Sequence, residues 1–395
     1  MNSYDVIILG GGAAGLMCAT EAATRGRKVL VLERSPKPAP KILVSGGGRC
    51  NFTNIYAKPS NYISSNPGFV DDALSRYKPK NFIALVKSRK IPYHEKIKGQ
   101  LFCDRSAKDI IEMLMDRAQK KGATVLLGQK VEEVSHSNGT FTVHLGEVSY
   151  SAPRLIVATG GLSWPQLGAT DLGYRVARQF GMGIVEPSPA LVGLSFPARE
   201  MERFKDLAGI HLTVGVTCGS WNSVDDIMIT HKGLSGPVML NCSLYWKPGQ
   251  EIVVNWVPEW TVEQTFEKLK KDKVAGGRGE FRIWLSTRLP KRLAERIAWN
   301  AGARGAWAAL PDEILLQLAT DLHAYRFVPA ETFGYRQAEV TRGGVDTREV
   351  SPVTMESLKV PGLFFIGEVL DVTGQLGGFN FQWAWASGWA SGQAV

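Results

Sequence analysis

Cysteine is scarce in this chain of 395 residues, and none of it is paired by spacing. Cys18, Cys50, Cys103, Cys218 and Cys242 are scattered and odd in number, with no CxxC and no Cys/His metal spacing. That argues against a disulfide framework or a zinc site and fits a reducing compartment. No apolar run reaches the roughly 18 residues of a membrane-spanning helix. No secretory leader pattern precedes "YDVIILGGG", which starts a fold almost at once. HExxH, nucleophile-elbow and paired-carboxylate motifs are missing, so no hydrolase signature competes with other readings. Internal repeats, low-complexity linkers and long basic tails are missing too. The expectation is a soluble cytoplasmic protein.

What is present is an ordinary globular balance, 44% hydrophobic and 21% charged, which places the chain outside the disordered classes. At roughly 150 residues per domain, the length allows two or three domains. The formal net charge of +9 favours an anionic partner: nucleic acid, a phosphorylated cofactor or an acidic surface. The basic residues cluster at 76–99 and 268–282.

Residues 4–34 carry the clearest motif. "DVIIL" is a continuous apolar run, as in a strand buried on both faces. Gly10, Gly12 and Gly15 follow in GxGxxG spacing. "AAGLMCATEAATRG" then reads as a helix, and "KVLVLE" as a second buried strand ending in Glu33. This is the dinucleotide fingerprint in its required strand–turn–helix–strand context. Gly10 permits the tight turn, Gly12 lets backbone approach a pyrophosphate, and Gly15 lets helix pack on strand. The helix N-terminus faces the anion. Glu33 suits a ribose hydroxyl and disfavours a 2′-phosphate. A second full fingerprint is absent; "GGLSWPQLG" and "KGLSGPVML" lack the spacing. One site implies one tightly held dinucleotide, and the segments near residue 159 and the C-terminus point to FAD.

Farther along, 106–122 reads as an amphipathic helix. Residues 123–161 read as a strand, a hairpin turning at Asn138–Gly139, and a strand into "ATGG". From about 191 short strands follow: "PALVGLSF", "GIHLTVGVTCG", "DDIMITHKGLSGPVML" and "EIVVNWV". Residues 259–326 turn helical. The simplest topology is an α/β dinucleotide domain, 1–190 with 342–395. It is interrupted by a β domain, 191–258 with 327–341, and by a helical subdomain, 259–326. In "FNFQWAWASGW", Trp385 and Trp389 share a helix face. Core packing is the better reading there, against a base-stacking platform.

Several motifs together resemble a bacterial family of FAD-dependent flavoproteins, the BaiN-like or aminoacetone-oxidase-like oxidoreductases. That family includes ribosomal RNA dihydrouridine synthases. The resemblance covers essentially the whole chain. It rests on the GxGxxG segment, "KILVSGGGRCNFTN" (41–54), "ATGGLSWPQLGATDLGYRVARQFG" (158–181), "PALVGLSF", "THKGLSGPVML" and the block 339–388. One departure stands out. Where family members often carry Arg-x-Phe-Pro, this chain has Gln100 and Cys103 at the ends of "QLFC".

The resemblance implies a glutathione-reductase-like, Rossmann-type FAD-binding domain. Gly10, Gly12, Ala13, Ala14, Gly15, Glu33 and Arg34 would line the ADP half, with Val131 at the adenine and Thr159 and Gly160 at a strand end. Lys41, Ser45, Gly47, Gly48, Arg49, Cys50 and Asn51 would run along the cofactor. Gly367, Glu368 and Asp371 would meet the ribityl or pyrophosphate region. Gly377, Gly378, Phe379 and Asn380 would bring a helix N-terminus to the flavin. The implied reaction reduces a C=C bond with hydride derived from NADH or NADPH. The substrate would be a uridine in large-subunit ribosomal RNA. Cys50 and Cys103 are candidate proton donors; for Cys50 a packed or positioning thiol is the better reading. His231 reads as a proton donor or as a structural histidine. Two alternatives stay open: a small-molecule amine oxidase or enoyl reductase, and a non-catalytic FAD scaffold or redox sensor.

Overall fold

The computed structural model describes residues 2–276, 280–303 and 309–395. The basic stretch 268–282 and the helical segment 259–326 therefore include residues outside the described ones. Contacts divide the chain into two compact units, Met1–Pro189 with Glu339–Val395, and Ala190–Ala338.

The first unit is built on five parallel strands. Their order is Leu363–Phe365, Arg154–Val157, Val6–Leu9, Val29–Leu32, Thr124–Leu126. "VIIL" and "VLVL" are buried at every position, as parallel strands covered on both faces must be. Helices Ala13–Thr24 and Phe379–Ala394 pack on each other at backbone distance. A Cβ on Gly388 would stand 2.5 Å from the Ala14 carbonyl oxygen. The aromatic residues of the last helix turn inward. Trp385 is fully buried, stacks on Phe82 at 4.2 Å and donates its indole N–H to the Phe52 carbonyl.

Among the smaller sheets of this unit, one has four strands, with Asn2–Ser3 parallel to Val148–Ala152 and the rest antiparallel, and one is antiparallel with three. In the first, Glu133–Ser137 and Thr140–Leu145 form the expected hairpin. Asn138 and Gly139 both take positive φ, at 50° and 75°, which matches the right-handed strand twist. The other joins Asn51–Asn54, Gln100–Cys103 and Tyr93–Glu95. These strands are short and lack a clean alternation, so the sequence did not announce them.

The second unit holds a six-stranded antiparallel sheet. Its order is Leu194–Ser195, Gly233–Ser235, Trp221–Ile229, His211–Cys218, Ile252–Asn255, Tyr325–Phe327. Residues of its helices, such as Leu269, Leu293 and Leu315, share one apolar core with the sheet. One expected strand is a helix instead: Pro237–Cys242. Gly236 at φ +89° turns the chain, and Pro237 opens the first turn, where its missing N–H costs nothing. Among the described residues, no helix is long and apolar enough to cross a membrane, and no acid–His–Cys group suits a metal ion.

Candidate dinucleotide site

The first glycine turn leaves the C-terminal end of Val6–Leu9 and enters the helix Ala13–Thr24. Gly10 takes φ +108°, and a Cβ there would sit 2.4 Å from the Ala158 carbonyl oxygen. A Cβ on Gly15 would stand 2.0 Å from the Gly10 carbonyl oxygen. Both positions exclude a side chain because backbone already fills the space. Gly12 differs: nothing lies within 4 Å of its would-be Cβ. Open room at the helix N-terminus, with free first-turn N–H groups, is what a pyrophosphate needs.

Glu33 ends the next strand and is buried. Its Oε2 accepts from the Gly11 N–H at 2.6 Å and its Oε1 from the Ser35 N–H at 2.7 Å. Burial raises this carboxyl above its ordinary value, and the N–H groups of Ser35, Gly11 and Arg34 pull it part of the way back. Arg34 itself is exposed. The segment around Val131 is tied to the same place, since the Gln129 N–H donates to the Glu33 carbonyl and the Gly128 N–H to that of Ser35. Val131 is buried. Thr159 and Gly160 follow Arg154–Val157 and border the Gly10 turn, with open space beside Gly160. The donor set and the room fit an adenine dinucleotide.

The second loop begins where the first one turns. The Ala39 N–H donates to the Gly11 carbonyl at 3.2 Å. The sequence reads here as a glycine loop, yet Pro40 opens a short helical stretch that breaks at Ser45. Gly46, Gly47 and Gly48 then take φ of +56°, +66° and +83°. The far end packs on another element: the Ala107 N–H donates to the Gly48 carbonyl and the Cys103 N–H to that of Arg49. Arg49 is exposed. Cys50 and Cys103 are buried close together beneath this turn. Burial pushes both thiols up, Cys103 to about 12. His231 lies in the second unit and is exposed.

Lys41 and Glu368, 327 positions apart, meet at 2.6 Å. Lys41 Nζ also donates to Ser163 Oγ at 2.6 Å, and Ser163 Oγ donates to Glu368 Oε1 at 3.0 Å. The Thr341 N–H adds a bond to Glu368 Oε1, while Thr341 Oγ1 accepts from the N–H groups of Leu162 and Ser163. Sequence reasoning missed Ser163, Thr341 and Glu339. The Ser163 hydroxyl, two residues after the "ATGG" glycines, was the one available signal. Glu339 is open to solvent, yet the protein mass around it raises its carboxyl, with Lys41 opposing.

The remaining residues gather at the start of the last helix. Gly367 packs against Ala14 and accepts the Trp383 indole N–H on its carbonyl. Asp371 is buried and accepts from the Ser65 N–H and hydroxyl, which makes it a strut for that loop. Gly377 and Gly378 take φ of +122° and +90°. Gly377 lies against Gln100, and Gly378 against Thr53 and Asn51. Phe379 is buried edge-on to Tyr62. Asn380 is spent on both backbone groups of Gly374, closing the turn that aims the helix.

Comparison with known proteins agrees with this geometry. A family model for the HI0933-like protein Rossmann domain matches residues 4–394. The chain is 43% identical to the ribosomal RNA dihydrouridine synthase of Escherichia coli, covering 100% of this chain and 98% of that protein. It is also 43% identical to the protein of that name from Haemophilus influenzae, covering 100% and 99%. A 3-dehydro-bile acid delta(4,6)-reductase from Clostridium scindens is 29% identical over 98% of each chain.

Proposed function

This chain belongs to the HI0933-like Rossmann-domain family, and from that premise we propose that it is an FAD-dependent oxidoreductase. Its reaction is the reduction of a C=C bond, with a uridine of large-subunit ribosomal RNA as substrate. The observation that carries the reading is the Gly10–Gly15 turn facing Glu33, in a chain 43% identical end to end to two proteins named for rRNA dihydrouridine synthesis. Bound FAD would supply the two-electron redox chemistry and would be recharged by NADH or NADPH.

The protein's own residues divide the work. Gly12 and the first-turn N–H groups hold the pyrophosphate, and Glu33 takes the ribose through the acceptor capacity its two backbone bonds leave free. Lys41, fixed by Glu368 and Ser163, places a positive charge beside the second loop. The left-handed turn Gly46–Gly48 and the helix start at Gly378 present backbone N–H groups, suited to developing negative charge. Cys50 and Cys103 are candidate proton donors; burial keeps both thiols protonated and also makes each a weaker acid than a free thiol.

The reading is tested by deleting the gene and mapping dihydrouridine in ribosomal RNA. Loss of one site, restored by the wild-type gene, is expected; an unchanged map would sink the RNA assignment. The purified protein should carry a flavin absorption spectrum. Full turnover in both Cys50→Ala and Cys103→Ala would move the proton donor elsewhere.

A further inference from the structure

The charge of this chain is concentrated in one stretch of its sequence. Residues 76–108 contain ten lysines and arginines against only Glu95 and Asp104, a net +8 of the chain's +9. Three of the arginines are paired: Arg76 with Asp72, Arg89 with Asp116 and Arg105 with Asp109. The acids in the segment are also engaged, Glu95 by the Gly99 N–H and Asp104 by His94. Lys96 and Lys98 stand exposed on the turn between Tyr93–Glu95 and Gln100–Cys103.

Apolar side chains crowd the same tip, where water should disfavour them. Tyr56 is 64% exposed, Ile97 55% and Ile55 38%. They are held there by backbone. The Ile55 N–H donates to the Gly99 carbonyl at 2.9 Å. Gly99 takes φ +79°, and a Cβ on it would strike the Tyr56 ring at 2.5 Å. The tip is fastened to the candidate site as well. Asn54 Nδ2 donates to the Gly377 carbonyl at 2.9 Å, and Gln100 abuts Gly377.

We propose that Tyr56, Ile97, Lys96 and Lys98 form a docking surface for an unpaired RNA loop, with Tyr56 stacking on a base. This rests on the RNA reading above and adds where that RNA is gripped. An aromatic ring among cations matches the chemistry of unpaired nucleic acid: bases have faces to stack and phosphates to neutralise. A duplex hides its base faces, so the ring selects loops while the lysines do not discriminate.

The test uses the full chain with its cofactor and two fluorescein-labelled RNAs of equal length, a stem-loop and a duplex, read by anisotropy. Tyr56→Ala should weaken stem-loop binding roughly ten-fold and leave duplex binding unchanged. Tyr56→Phe should bind as wild type, and flavin content should stay the same in both. Lys96→Ala with Lys98→Ala should weaken both RNAs and flatten the log Kd against log salt slope by about 1–2. Stem-loop binding by Tyr56→Ala within two-fold of wild type overturns the proposal, as does equal weakening of both RNAs. Competition by poly-glutamate as effective as by RNA overturns it too. Wild-type protein that binds neither RNA defeats the RNA reading itself; RNA reduced at the wild-type rate by the chain carrying Tyr56→Ala, Lys96→Ala and Lys98→Ala together defeats only the docking surface.

Discussion

The two glycine loops of the first unit look alike as text and differ as structure. In the first, Gly10 and Gly15 are glycine because another backbone group already occupies the place of a Cβ. In the second, Gly46, Gly47 and Gly48 are glycine because three successive residues turn left-handed. Close packing dominates in the first set, although Gly10 also takes φ +108°; backbone conformation dominates in the second, although a Cβ on Gly46 would also stand 2.9 Å from the Asn51 nitrogen and the Phe102 ring. Each loop leaves one glycine facing open space, Gly12 and Gly47. The lesson is that glycine spacing reports packing where helix meets strand, whereas a glycine run reports a turn whose shape only its neighbours define.

That contrast is breakable by substitution. Gly15→Ala should have the largest effect, since its methyl would meet a carbonyl that cannot move without the strand. A loss of about 3 kcal/mol or more in urea unfolding is expected, with loss of bound flavin. A cost under 1 kcal/mol would refute the packing account. Glu368→Gln should cost about 1–2 kcal/mol, because a charge-assisted bond to Lys41 and its Ser163 partner weaken together while partial exposure tempers the loss. The check is the same unfolding curve, alongside Lys41→Met, which should not add to it fully. Gly47→Ala, free of clashes, should cost about 1 kcal/mol for its left-handed φ alone. A cost as large as that of Gly15→Ala would erase the distinction between the loops.

The smallest effect concerns pH. The folded protein holds Glu33 above its ordinary carboxyl value, so it binds that proton more tightly than the unfolded chain does. Its contribution is therefore most favourable below the unfolded value, near 4.5, and declines as pH rises through the raised folded value. In cofactor-free protein, wild type should lose ground to Glu33→Gln as pH climbs from 4.5 toward neutrality. A gap that widens in the wild type's favour would contradict the burial argument.

Much of the core was legible. Unbroken apolar runs of four or five residues between glycines gave the parallel strands, and the Asn138–Gly139 pair gave its hairpin. The three-stranded sheet around Gln100–Cys103 was not legible, because short strands without alternation carry no period. The helix Pro237–Cys242 hid behind apolar residues that suit either element. At the site, Gly10, Gly15 and Glu33 declare themselves by spacing within one βαβ unit. Ser163 and Thr341 do not, for their partners lie 205 and 27 residues away and no local pattern links them to Glu368.

Sequence alone determined the βαβ turn, since glycine spacings of 2 and 3 residues, with Glu33 18 residues after Gly15, fix geometry within a single strand–helix–strand unit. It also determined the charge excess, though not its use. Tertiary structure decided what distant segments do together. It joined Lys41 to Glu368, placed Cys50 beside Cys103, set the 96–99 turn against Tyr56, and set Gln100 against Gly377. The physical reason is range: local spacing controls backbone direction over a few residues, while a site's chemistry depends on which remote groups close packing brings within hydrogen-bond reach.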